Sequence, residues 1–378
     1  MKRAAFIYDD VLTAHVLRQD HPLRPTRLRY TYELLEAYGA FSLANARLVA
    51  PRQATREEIE ASHTRAYVDA VEAFSQGHRL EEAPRFGLSE GGDTPVFPGI
   101  FEASLWSTGA SVTAAELLIR GEADVAVNFS GGLHHAMPDR ASGFCVFNDP
   151  VVAIKALVKA GLRVVYVDID CHHGDGVQHA FYDSDQVLTI SLHESGRYLF
   201  PGTGFTEETG VGRGAGYSVN VPLYPYTDDK TYLWAFREVV PPLVNAFKPD
   251  VLTTQLGIDT HFKDPITHLQ LTVQGFSRLV TELGELSPGR WLAMGGGGYD
   301  ISAVIRGWAM AYGAMLQHTW PDRIPEELQE RIGLPDLHDP DPPPVDAGLL
   351  RDVRQQAEEA VAKVHRLVFP THGLSGLA

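Results

Sequence analysis

Short apolar runs alternate with longer amphipathic stretches along the chain. Runs at 4–8, 46–50, 124–129, 163–170, 187–193, 218–222, 250–256 and 291–295 read as strands. Several are apolar almost throughout, as in Arg163-Val164-Val165-Tyr166-Val167. Such continuity marks strands of a parallel sheet, buried on both faces. Between them the spacing predicts helices near 26–38, 65–76, 99–120, 149–160, 229–246, 272–285 and 301–318. Strand–helix alternation of this kind predicts a layered α/β fold, a single domain with a central, mostly parallel eight-stranded sheet flanked by helices.

One composition shift interrupts the pattern, the Pro-rich stretch Pro335-Asp336-Leu337-His338-Asp339-Pro340-Asp341-Pro342-Pro343-Pro344. It reads as an extended connector, followed by a charged amphipathic helix at about 347–367. The expected organisation is one main domain over 1–334 and an appendage over 335–378 packed on it. Long glycine-rich loops fall at 87–99, 130–143 and 201–216. Loops of that length in a compact domain are usually functional.

Charge and cysteine content narrow the function. Of the 378 residues, 32 are Lys or Arg and 48 are Asp or Glu, a formal charge of −16. Direct nucleic-acid binding relies on a basic surface and is not expected; a cationic partner is. No apolar run approaches the ~18 residues of a membrane span. The apolar start at Ala4 ends at Asp9 and Asp10 without a small-residue cleavage site, so it reads as a strand rather than a signal peptide. Cys145 and Cys171 cannot form a disulfide scaffold and suggest a reducing, cytoplasmic setting. Nothing in the sequence fixes an oligomeric state.

The segment Val167-Asp168-Ile169-Asp170-Cys171-His172-His173-Gly174-Asp175 carries the most chemistry. Side chains alternate along a strand, so Asp168, Asp170 and His172 are expected on one face. Ligand sites of open parallel sheets lie at the carboxyl ends of strands. Strand-end caps are the plainer explanation of a lone Asp-x-His. Three ionisable groups on an apolar strand are costly to bury unless a metal or hydrogen bonds compensate. A second apolar strand ends in Asp259, which completes an Asp-His-Asp set. Three protein ligands leave a metal position open for water and substrate, as a hydrolytic zinc site requires. A third strand runs into Ser130-Gly131-Gly132-Leu133-His134-His135, bringing two imidazoles to the same edge, with Asp168 and Asp175 available to hold them. A fourth runs into Gly295-Gly296-Gly297-Gly298-Tyr299. No Lys-Ser/Thr follows as a phosphate loop would need, and the Tyr299 hydroxyl is placed to donate to a developing oxyanion.

Taken together, these segments resemble the zinc-dependent deacetylase family, which contains the class I histone deacetylases and the bacterial acetoin-utilization proteins. The similarity runs from about His21 to Trp308. It includes His21-Pro22-x-Arg24-Pro25-x-Arg27, Ala141-Ser142-Gly143-Phe144-Cys145-x-x-Asn148-Asp149, Ser191-Leu192-His193 and Phe200-Pro201-Gly202-Thr203-Gly204 besides the segments above. The resemblance implies the arginase/deacetylase fold and hydrolysis of N-acetyl amides. It implies Asp170, His172 and Asp259 as zinc ligands, and His134 and His135 as the catalytic pair with Asp168 and Asp175 behind them. By the same resemblance, Tyr299 is expected to polarise the acyl carbonyl, Phe144 and Phe200 to wall a narrow acyl-lysine tunnel, and the Gly143 carbonyl to accept the substrate amide N–H. It also implies Asp93 as a rim aspartate that holds the substrate backbone, and Arg27 in the cavity beyond the metal. A structural potassium ion is implied at Asp168, Asp170, His172, Ser191 and Leu192, with a second at Phe181, Val187 and Tyr217. Fe²⁺ is a second candidate for the oxygen-rich catalytic site. Arginases of the same fold place a second-metal aspartate where this chain has Gly174, so a mononuclear site is expected.

Three positions depart from the family pattern. Lys263 precedes Asp264-Pro265 where glycine is common. Ile266 follows, where lysine deacetylases usually carry Leu and acetylpolyamine deacetylases a glutamate. His261 replaces a commonly apolar residue and is expected to face solvent or the entrance. The leading expectation is deacetylation of N6-acetyl-lysine in proteins or peptides. Acetylated small amines or polyamines are the alternative substrates, and a non-catalytic acyl-lysine binding protein is the alternative outside enzymes.

Overall fold

The computed structural model of the chain describes residues 2–13, 17, 18 and 20–375. Eight strands form its sheet: β1 (Ala4–Ile7), β2 (Ala46–Val49), β3 (Val125–Asn128), β4 (Val164–Asp168), β5 (Val187–Glu194), β6 (Ser218–Leu223), β7 (Val251–Gln255) and β8 (Trp291–Met294). Their order is β2-β1-β3-β8-β7-β4-β5-β6. Every pairing is parallel.

That order decides where chemistry can sit. The chain passes from β3 to β4 across a gap that β8 and β7 later fill. The strands that run into the polar segments, β3, β8, β7 and β4, are therefore four consecutive neighbours. Being parallel, they release their carboxyl ends at one edge, the place where open α/β sheets bind ligands.

Both sheet faces are buried, as the continuous apolarity requires. Along β4, Val165 and Val167 enter one core cluster and Val164 and Tyr166 the other. The first face is covered by α1 (Thr26–Ala37). Short helices α2 (Arg56–Glu60) and α3 (Arg65–Ser75) stand apart, α3 within a third cluster containing Tyr67, Phe74, Phe86 and Phe147 that supports the long loops. α4 (Ile100–Ile119) and α5 (Asp149–Lys159) cover the second face. α6 (Asp175–Phe181) follows β4 directly, and α7 (Asp229–Phe247), α8 (Val273–Leu286) and α9 (Ile301–Leu316) join α1 on the first.

β4 ends at Asp168, two residues before the sequence-based limit. Side chains replace the ladder there: Asp168 Oδ1 accepts the Asp170 N–H and Asp170 Oδ1 accepts the His172 N–H. Carboxylates that bond the backbone two residues on compete with regular strand structure. The helices α2 and α6, and α10 (Glu326–Ile332), were not anticipated, because each spans under two turns and shows little periodicity.

The C-terminal helix α11 (Ala347–Leu367) packs Val361 and Val364 into the first core cluster. The stretch before it is more than a connector. Asp339 is buried and bonded to His261, to the Val273 N–H at the start of α8, and in an ion pair to Arg306 of α9. Hydrogen bonds and charge override what proline content suggests.

Candidate metal and catalytic site

Three of the strand-end residues meet in space. Asp170, His172 and Asp259 are buried, and each offers one ligand atom within 4.8 Å of the others. His172 Nδ1 lies 2.8 Å from Asp259 Oδ2 and 3.2 Å from Asp170 Oδ1. Burial opposes charge on the His172 ring, yet Asp259 and Asp170 hold its pKa well above the ordinary value. Burial and the neighbouring Asp170 push the Asp259 carboxyl up to about 7. Two carboxylates around one imidazole nitrogen form a donor set that suits a divalent cation and leaves positions open. Gly257 and Gly297 make room: a Cβ on the first would overlap the Asp170 carboxylate, and on the second that of Asp259.

The tandem histidines are held by the start of α5. Asn148 caps that helix through the Val151 N–H, and its amide donates to the carbonyls of His134 and Ala136. Asp149 accepts the N–H groups of Gly132 and Leu133 and the Ser111 hydroxyl. Burial lifts the Asp149 carboxyl to about 6. Neither residue was assigned a role from sequence. Their signal was visible, since an Asn-Asp pair before a helix offers caps to whatever passes nearby.

Each histidine is oriented by a carboxylate. His134 Nδ1 lies 2.8 Å from Asp168 Oδ2, which also accepts the Tyr166 hydroxyl. His135 Nδ1 lies 2.7 Å from Asp175 Oδ1, in the first turn of α6. Their electrostatics differ. Burial opposes charge on His134, but Asp168 and Asp170 outweigh it and raise its pKa to about 9. For His135 burial and the adjacent His134 prevail over Asp175 and lower it to about 4.

Tyr299 ends the glycine run, and consecutive residues of that run are tied to different elements. Gly297 N–H donates to Asp170, the Gly298 carbonyl accepts from Arg27, and Tyr299 N–H donates to Asp264. Gly296 and Gly298 have φ of 135° and 137°, a region closed to other residues. The Tyr299 ring stands edge-on to His172, with centroids 6.4 Å apart, and to Phe144, 5.8 Å apart.

A cavity of about 370 Å³ reaches this cluster. His135, His172 and Tyr299 line its floor, Gly143, Phe144 and Phe200 its walls. Asp93 and Ile266 stand at the mouth, where Asp93 is exposed. The Phe200 ring packs edge-on against His135 at 5.0 Å. Phe144 has φ of 69°, an uncommon left-handed conformation for a bulky residue. Its N–H donates to Thr94 and its ring meets that of His21. His21 Nδ1 accepts the Leu23 N–H, so Nε2 carries the proton given to the Asp93 carbonyl.

Arg27 is buried, stacks 4.9 Å from the Trp308 ring, and lines a second cavity of about 110 Å³ with Leu133 and Phe144. Ser191 pairs in register with Asp168, and the Leu192 carbonyl accepts the Tyr232 hydroxyl. Phe181 ends α6, Val187 opens β5, and the Tyr217 carbonyl accepts the Thr189 N–H. Cys145 and Cys171 are free and buried.

His261 corrects an expectation. It lies neither at the rim nor in solvent but is buried, with Nε2 2.8 Å from Asp339 Oδ2. The Pro-rich segment that covers it lies far away in sequence, so local reading had no means of seeing its partner. Lys263 is exposed.

Comparison with known proteins agrees with this geometry. The sequence pattern of the histone deacetylase domain matches residues 21–315. The chain is 44% identical over 316 residues to acetoin utilization protein AcuC of Bacillus subtilis (strain 168), covering 82% of this chain and 81% of that one. It is 37% identical over 318 residues to the AcuC of Staphylococcus xylosus, covering 82% of each. The crystal structure of an HDAC homolog from Aquifex aeolicus superposes with a TM-score of 0.85 at 31% identity, over 94% of this chain and 100% of that one.

Sheet order and strand-end chemistry thus define a hydrolase of the deacetylase class. The chain belongs to the histone deacetylase family, on its bacterial, acetoin-utilization side. Among the described residues, no helix is long and apolar enough to cross a membrane.

Proposed function

We propose that this deacetylase hydrolyses the N6-acetyl amide of lysine in proteins or peptides, releasing acetate, at a mononuclear zinc site. The observation that carries the reading is the meeting of the Asp170–His172–Asp259 cluster, the carboxylate-held His135 and Tyr299 on the floor of one narrow cavity.

Asp170, His172 and Asp259 would hold the ion, with Fe²⁺ the second candidate for the same donors. When bound, such an ion supplies Lewis acidity toward an amide carbonyl and lowers the pKa of water. The apolar stem of an acylated lysine runs between Phe144 and Phe200, while the Gly143 carbonyl accepts the amide N–H. Neutral His135, its Nδ1–H given to Asp175, takes the proton of the attacking water. It then passes that proton to the leaving nitrogen. His134, held charged by Asp168, stabilises the negative charge that develops nearby. The Tyr299 hydroxyl donates to the carbonyl oxygen as it becomes an oxyanion.

Ile266 at the mouth supports acetyl-lysine over polyamines, because an apolar residue there offers no counter-charge. The exposed Asp93 suits basic peptide surroundings and an acetylated small cationic amine alike, so charge does not decide. Comparison of kcat/KM on acetyl-lysine peptides, free acetyl-lysine and acetylpolyamines decides between them. A preference for acetylpolyamines would overturn the peptide reading.

A structural K⁺ would be held by main-chain oxygens at Asp168, Asp170 and His172, with Ser191 and Leu192, and a second near Phe181, Val187 and Tyr217. Residues 335–378 act as an appendage of the 1–334 catalytic domain rather than a second domain. Two free, buried cysteines suit a cytoplasmic location.

A further inference from the structure

Asp264 belongs to none of the groups assigned above. It lies in the loop after β7 that also carries Asp259, and it is buried. Its carboxylate joins two segments distant in sequence. Oδ2 accepts the Tyr299 N–H at 2.9 Å, and Oδ1 accepts the Ile266 N–H at 3.1 Å. One of these segments supplies the proposed oxyanion donor and the other a wall of the cavity mouth.

The local chain explains why such a tie is needed. Tyr299 follows four glycines, which impose little conformational preference of their own. Beyond it, α9 starts only at Ile301, capped by Asp300. The Asp264 bond is the restraint on the Tyr299 backbone itself. Asp264 is in turn fixed, because its N–H donates to the His261 carbonyl at 2.8 Å. The His261 Nδ1 accepts the Lys263 N–H, so its Nε2–H is given to Asp339. A line of contacts thus runs from the C-terminal segment through His261 and Asp264 to Tyr299.

We infer that Asp264 is a positioning residue for deacetylation, setting the Tyr299 hydroxyl against the mouth wall at Ile266 through its two carboxylate oxygens. The inference rests on the proposed role of Tyr299. An isosteric Asn can satisfy one of the two N–H groups with its amide oxygen but turns an NH₂ toward the other.

The test combines a double-mutant cycle with hydrogen exchange. Asp264→Asn should lower kcat about tenfold or more with little change in KM. In a Tyr299→Phe background the same change should have an effect within about twofold, because the group it positions is gone. Asp264→Glu, which keeps the carboxylate, should recover part of the lost kcat. It takes the place of Asn in the cycle should Asp264→Asn fail to fold. Amide exchange in 295–300 and 262–267 should quicken together in the variant, with the β-sheet unaffected. Equal losses of kcat in both backgrounds, or unchanged exchange at Tyr299, would overturn the inference. A wild-type protein inert toward every acetylated amide would instead defeat the deacetylation mechanism, while the exchange data would still report whether Asp264 ties the two segments.

Discussion

The Nε2 atoms of His134 and His135 lie 3.0 Å apart. Each ring gives its other nitrogen to a separate carboxylate, so the pair has one short contact to divide between two imidazoles. His134, raised to about 9, keeps its proton, and His135, lowered to about 4, stays neutral with its Nε2 lone pair available as a base. At neutral pH the pair holds a single positive charge, on the residue farther from the cavity.

That division predicts a broad plateau in kcat/KM. Activity rises with pH as His135 becomes a free base through about 4, and falls as His134 loses its proton through about 9. Asp168→Asn removes the largest influence that raises the His134 pKa, so the alkaline limb should move to lower pH. An alkaline limb unmoved in that variant would mean another group sets it.

Tyr299→Phe removes a hydroxyl and little else, since the ring contacts with Phe144 and His172 remain available. Loss of one oxyanion donor typically lowers kcat by about 10²–10³. KM should change little, because the bond strengthens only as charge develops. Steady-state kinetics on an acetyl-lysine peptide measures both.

Ile266→Glu places a carboxylate at the mouth of the cavity that the exposed Asp93 also lines. A cationic amine should then be drawn in more strongly. The ratio of kcat/KM for acetylpolyamine over acetyl-lysine peptide should rise. An unchanged ratio would mean that Ile266 does not select substrate.

Asp339 is predicted to be a stability residue, bonded to His261, Val273 and Arg306. Burial opposes its charge, but His261, the Val273 N–H and Arg306 outweigh that and lower its pKa to about 2. A depressed carboxyl contributes stability above its unfolded pKa of about 3.9, and that contribution is lost as pH falls through about 2. Asp339→Ala strands the buried Arg306, at a cost of about 3–5 kcal/mol. Thermal unfolding at pH 7 should show a clear drop in Tm, with the secondary structure below the transition unchanged.

The parts legible in the sequence were those governed by local rules. Apolar runs located all eight strands to within two residues at each end; seven are apolar because they are buried on both faces, while the edge strand β2 leaves Arg47 and Leu48 exposed. The strand-end residues Asp170, His172, Asp259, His134, His135 and Tyr299 were legible for the same reason, since ionisable groups stand out against apolar runs. Partners distant in sequence were not. Asp149 holding Gly132, Asp264 holding Tyr299 and Asp339 holding His261 each join loops through a carboxylate. Nothing in the periodicity of either segment announces such a bond. Phe144 was placed on the tunnel wall by resemblance, but its left-handed backbone was hidden, since a Phe carries no signature of positive φ.

Acetyl-lysine hydrolysis is proposed to depend on an ion held by Asp170, His172 and Asp259. The most direct measurement is acetate release from an acetyl-lysine peptide, with metal content determined on the same sample, before chelation, after it, and after adding back Zn²⁺. About one ion per chain, loss of turnover with the ion and its return on addition are expected. An Asp170→Ala, His172→Ala variant should bind none at that site. Full turnover by the metal-free protein, or full zinc occupancy in that variant, would contradict that proposal.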